Sequence, residues 1–123
     1  MTVNCGHDSY QCNSVEEFED LLPELLSKDS AEIWISSNGG QDDYPCLVIL
    51  VNENSATISH FGEDGSCYSS CNGSTDDGFI TFCDEQYEIH SYQVISKEEV
   101  LAAALDFCRD KSRSNAVRWD QLY

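Results

Sequence analysis

At 123 residues the chain is one domain by size, long enough to bury roughly two thirds of the surface its unfolded form exposes. Its 23 acidic residues against 6 basic ones give a formal net charge of −17; the first 96 positions hold 18 of the acids with Lys28 as the single base, and the last 27 hold five of each. So negative a chain repels nucleic acid and anionic membrane, which excludes both as partners, and it accelerates encounter with a strongly basic protein.

Leu, Ile, Val and Phe make up 28 of the 123 residues, above the level of roughly 20% below which strongly charged chains stay disordered. They gather in short runs such as Cys46-Leu47-Val48-Ile49-Leu50-Val51, each able to supply a buried strand. The start, Met1-Thr2-Val3-Asn4-Cys5-Gly6, carries no basic segment followed by an apolar stretch. No later run approaches the ~20 apolar residues of a membrane span, so a cytoplasmic location is expected. The seven cysteines are odd in number and several fall inside strand or helix patterns, which reads as reduced thiols acting as small apolar side chains.

In chain order, Ser14-Val15-Glu16-Glu17 offers a serine cap with Glu three residues on, and Val15, Phe18, Leu21, Leu22, Leu25 and Leu26 follow at helical spacing. Pro23 lies inside that pattern and predicts a kink or a split, since it removes a backbone donor and crowds the preceding turn. From Glu32 to about Val94 the texture becomes β-rich: Ile33 to Ser36, Cys46 to Val51, Ala56 to Phe61, Ser66 to Cys71, Phe79 to Cys83 and Gln86 to Tyr92 are predicted strands of one antiparallel meander. Asn52-Glu53-Asn54 and Glu63-Asp64-Gly65 are short connections suited to hairpins, and Ser37 to Tyr44 and Asn72 to Gly78 are longer loops. Ser96-Lys97-Glu98-Glu99 repeats the capping pattern and opens a second helix with Val100, Leu101, Ala104, Leu105 and Cys108 on one face. Arg109 and Lys111 near its end complement the helix dipole. A last strand, Ala116 to Trp119, returns to the sheet and is expected to bury the indole. The fold class is therefore α+β: an antiparallel meander packed with two helices, in one domain over residues 1–123.

Metal-ligand side chains cluster twice, at Cys5-Gly6-His7 with Cys12 and at Cys67 with Cys71 near His60, but neither has the paired spacing of a structural zinc site. A nucleophilic pair of Cys71 or Cys83 with His60 or His90 lacks sequence support, because Cys83 closes the apolar run Phe79-Ile80-Thr81-Phe82 and a thiol in apolar surroundings is inert. Phosphate-cradling loops are absent: Gly39-Gly40 runs into Gln41-Asp42-Asp43. No catalytic residue, cofactor or metal is expected, and the readings from other classes are a small cytosolic Cys-His or carboxylate enzyme and a zinc-stabilised adaptor.

The order of elements resembles the family-one immunity proteins of bacterial polymorphic toxin systems. The tail carries most of the likeness: Ile95-Ser96-Lys97-Glu98-Glu99-Val100-Leu101-Ala102-Ala103-Ala104-Leu105-Asp106-Phe107, then Ser114-Asn115-Ala116-Val117-Arg118-Trp119, is similar to that family's Ser-capped, Ala-rich helix, basic turn and Trp strand. Upstream, Asp43-Tyr44-Pro45 with Cys46 to Val51, followed by Ala56 to Phe61, is similar to its central hairpin. The likeness covers roughly residues 30 to 120. It implies a monomeric, non-enzymatic antitoxin that binds one cognate toxin domain, a nucleic-acid deaminase or nuclease, as a 1:1 heterodimer. Charge points the same way, since a domain that grips nucleic acid is basic near its active site and an acidic inhibitor complements that groove. The expected contacts are the acidic pairs on predicted connections, Asp42-Asp43, Glu63-Asp64 and Asp76-Asp77.

Overall fold

The computed structural model of the chain describes residues 1–37, 44–75, 78–83 and 85–122. Among the described residues nine strands and two helices follow one another as β1 (Thr2–Cys5), β2 (Asp8–Gln11), α1 (Val15–Leu26), β3 (Ala31–Ser36), β4 (Cys46–Val51), β5 (Ala56–Phe61), β6 (Cys67–Cys71), β7 (Phe79–Phe82), β8 (Tyr87–His90), α2 (Lys97–Asp110) and β9 (Arg118–Gln121), with one turn of 3-10 helix at Ser91–Gln93. Seven strands form an antiparallel sheet in the order β2-β1-β3-β4-β5-β6-β9. The expected α+β class, antiparallel with two helices, is what the chain adopts.

Alternation along the strands sets the two faces of the sheet. In β3, Ala31, Ile33 and Ile35 enter the core while Glu32 and Trp34 point the other way. Register carries the apolar side across to Val3 and Cys5 of β1, Leu47, Ile49 and Val51 of β4, and Ala56 and Ile58 of β5. Both helices pack on that face and on each other. Helix α1 contributes Phe18, Leu22, Leu25 and Leu26, and α2 contributes Val100, Ala103, Ala104 and Phe107. Each Phe, Leu or Val among them stabilises the fold by about 1.5–3 kcal/mol on leaving water, and each Ala by less. The face of α2 is thus centred one position away from the expected stripe: Leu101, Leu105 and Cys108 are only partly buried at its margin, where the small Ala103 and Ala104 let the helix approach the sheet.

The helix starts follow the capping chemistry. Ser14 Oγ accepts the Glu17 amide (3.2 Å) and Ser96 Oγ that of Glu99 (3.1 Å); the Glu99 carboxylate reaches back to the Ser96 amide, while that of Glu17 takes the amide of Asn13 instead. Pro23 does not split α1, which runs unbroken from Val15 to Leu26. It sits on the exposed side of the helix, so water can meet the carbonyl its missing N–H leaves unpaired. Lys111 closes α2 in the left-handed conformation (φ 62°), its amide donating to the Phe107 carbonyl.

Two features differ from the expected single meander. The polar start forms a hairpin, β1–β2, around Gly6-His7, with Gly6 at φ 61° as a two-residue turn requires. At the other end β7 and β8 leave the main sheet and, among the described residues, pair with each other alone, because β9 occupies the edge of β6 that β7 would otherwise take. Contacts place this second hairpin on the face opposite the helices, spanning from β6 to β3. Asn72 donates to the Tyr92 carbonyl and Gln93 to Ser69 Oγ at one end, and at the other Tyr87 Oη donates to Glu32 and Cys83 Sγ lies 3.6 Å from the Ala31 carbonyl. Phe82 of the hairpin is buried, as are Leu50 and Thr57 on the intervening strands. Ile95 then pairs with Ala56 and brings the chain back toward α2. Among the described residues no helix is long and apolar enough to cross a membrane.

Candidate functional site

Of the six expected contact carboxylates, Glu63 and Asp64 are described; Asp42, Asp43, Asp76 and Asp77 lie outside the described residues. Glu63 and Asp64 form the exposed β5–β6 turn, closed by the Gly62 amide on the Ser66 carbonyl (3.0 Å). Asp64 Oδ1 accepts both the Ser66 amide (3.0 Å) and the Ser66 hydroxyl (2.6 Å), which hold its carboxyl below the usual carboxylate range. One oxygen of Asp64 therefore builds the turn, and Glu63 is the freer of the pair.

Beside this turn opens a shallow cavity of about 350 Å³, lined by His60, Tyr68, Lys111 and Arg113 as well as by Glu63 and Asp64. The Arg113 guanidinium lies over the Tyr68 ring, 3.5 Å from its centroid. The basic tail of the sequence thus returns to the acidic turn and offsets part of its field. His60 is 7% exposed and stands edge-on to Phe107 (5.7 Å) and Trp119 (6.3 Å). Its Nε2 lies 3.5 Å from the Lys111 carbonyl, and Nδ1 has no hydrogen-bond partner among the described residues. Burial pushes its pKa down, so the ring is neutral at physiological pH.

Of the cysteine and histidine pairs suggested by the sequence, those with His60 are parted by the sheet and Cys83 with His90 by the length of the hairpin. Cys71 pairs with Arg118 on the face away from the helices, whereas His60 packs beneath α2 against Phe107. Cys83 sits past the end of β7 at the hairpin turn, and His90 at its opposite end, stacked between Phe79 (4.6 Å) and Tyr92 (4.9 Å). Cys5 and Cys12 are buried, and burial raises both thiols. Burial pushes the Cys108 thiol up to about 12. Among the described residues no three His, Cys, Asp or Glu side chains converge as a metal site would need.

Sequence reasoning passed over Trp34. It stands 43% exposed on the sheet face opposite the helices, between Asn4 of β1 and Val48 of β4. Its Nε1 donates to Glu32 Oε1 (3.0 Å), and the same oxygen accepts Tyr87 Oη (2.8 Å) from the second hairpin. Glu32 therefore ties a surface indole to an element packed over the sheet. The signal was legible: in Ala31-Glu32-Ile33-Trp34-Ile35 the alternation that buries the isoleucines turns Trp34 outward.

The sequence matches no protein-family model, and comparison with curated proteins finds none similar to it.

Proposed function

We propose that the chain is a non-enzymatic antitoxin of the cytoplasm, binding a basic, nucleic-acid-acting toxin domain one to one and blocking its active site. The observation that supports this reading is negative charge left largely without cationic partners among the described residues. Two ion pairs occur among the described residues, and both belong to Arg109, with Glu19 (3.7 Å) and Asp106 (3.1 Å). The remaining described carboxylates project their field outward, where a basic groove built for a polyanion is its natural complement. The likeness of residues 30 to 120 to the family-one immunity proteins supports the same role. On this proposal the acidic connections, Glu63-Asp64 together with Asp42-Asp43 and Asp76-Asp77, steer the encounter.

Co-expression with basic, nucleic-acid-acting toxin domains, sought first in the reading frames beside this one, tests it. Cells carrying both should survive, and the two chains should elute as a one-to-one complex. Cells that die despite full expression of this chain would sink the proposal.

A further inference from the structure

We propose that the toxin docks on the sheet face opposite the helices, with Trp34 as the anchor that enters an apolar recess of that basic partner; this inference rests on the antitoxin reading above. An exposed tryptophan becomes a strong anchor when it is already held in place, because little side-chain freedom is then lost on binding. Trp34 meets that condition through the Glu32 carboxylate, which its indole N–H and the Tyr87 hydroxyl share.

The surroundings suit a knob that inserts. Along the row across the sheet Trp34 is flanked by Asn4 and Val48, and beyond Val48 stands Ser59. These shorter side chains leave the indole proud of its neighbours. The second hairpin covers Leu50 and Thr57 in the next row but leaves Trp34 open.

Charge selects the occupant. Glu32 lies beside the indole, and Glu85 and Glu88, both exposed, stand on the hairpin whose Tyr87 contacts it. Lys28 is the only lysine or arginine of the first 96 positions, so these carboxylates have no other cation from the strands and hairpin around them to offset their field. A partner combining an apolar recess with a cationic rim fits this surface, and a second copy of the chain would bring like charge against like.

The probe is the basic toxin domain against which the chain protects cells, catalytically inactivated. In a Trp119→Phe background Trp34 is the sole indole, since the chain has two tryptophans. Saturating toxin should shift its emission to the blue as it leaves water. Trp34→Ala should weaken binding about thirtyfold or more, chiefly through faster dissociation, with the thermal midpoint of the free protein nearly unchanged. Tyr87→Phe keeps the indole but removes one of its restraints, and a severalfold loss is expected. A complex that forms with unshifted Trp34 emission and survives Trp34→Ala intact would overturn this docking face and leave the antitoxin reading standing. Absence of any wild-type complex would overturn both. A concentration-dependent dimer that buries Trp34 without toxin would assign the face to self-association and overturn the proposal too.

Discussion

A buried imidazole packed against Phe107 and Trp119, with no partner for Nδ1 among the described residues, resists protonation, and that ties the stability of the fold to pH. His60 titrates below its ordinary value in the folded chain because burial disfavours the charged ring. As pH falls through about 6.5, the unfolded chain binds a proton that the folded chain refuses, so stability declines until the lower folded value is passed. Denaturation midpoints at pH 7.5 and 5.5 should therefore fall further for the wild type than for His60→Leu; parallel changes would show that the ring ionises freely in the fold. Trp119 shares this corner. The sequence suggests a buried anchor whose truncation costs ~3–5 kcal/mol, yet the indole is only half-buried and its Nε1 donates to the Ser114 carbonyl (2.8 Å). Trp119→Ala should cost about 2–3 kcal/mol, below that range because burial is partial, as read from urea unfolding. A negligible change would make β9 peripheral.

At the scale of elements, α2 depends on its first turn. Ser96 Oγ takes the Glu99 amide and Glu99 answers through the Ser96 amide, in a helix that packs Val100, Ala103, Ala104 and Phe107 onto the sheet. Ser96→Ala should cost about 1 kcal/mol, measured as a shifted midpoint at constant slope. These caps were legible because the chemistry is local. So were β4 and β5, whose predicted limits coincide with the observed ones, since β4 is an unbroken apolar run, β5 an alternating one, and turn residues bound both. The strands that escaped detection or changed partners did so for physical reasons. In β1–β2 only Val3, Cys5 and Tyr10 face the core, too few to raise a periodic signal above the polar residues between them. The run Phe79-Ile80-Thr81-Phe82 reads as a strand, but nothing within it tells which strand will be its neighbour. That is decided by β9, distant in sequence, arriving at the edge of β6. The candidate site divides the same way: Glu63-Asp64 lies on the expected turn, while Lys111 and Arg113 reach it only through the tertiary fold.

On the scale of the whole molecule, one charge distribution should act with opposite signs on folding and on association. With a net charge of −17 and two internal ion pairs among the described residues, the folded chain repels itself more than it binds itself. Salt screens that repulsion over a Debye length of about 10 Å at 0.1 M. Chemical denaturation by urea should therefore show stability rising as sodium chloride increases from 10 to 500 mM, values chosen to span roughly 30 Å to under 5 Å of screening. Association with the proposed basic toxin should slow over the same series, because the attraction that steers it is screened too. Replacing Asp42, Asp43, Glu63, Asp64, Asp76 and Asp77 by their amides should reduce both effects at once, slowing association about tenfold at low salt while flattening its salt dependence and making the free protein no less stable. The exception is Asp64, whose hydrogen bonds to Ser66 give it a place in the turn, so a variant that spares it separates steering from turn formation. If stopped-flow rates for the amide variants match the wild type at every salt concentration, the acidic connections take no part in the encounter, and the field that guides it comes from carboxylates elsewhere on the chain.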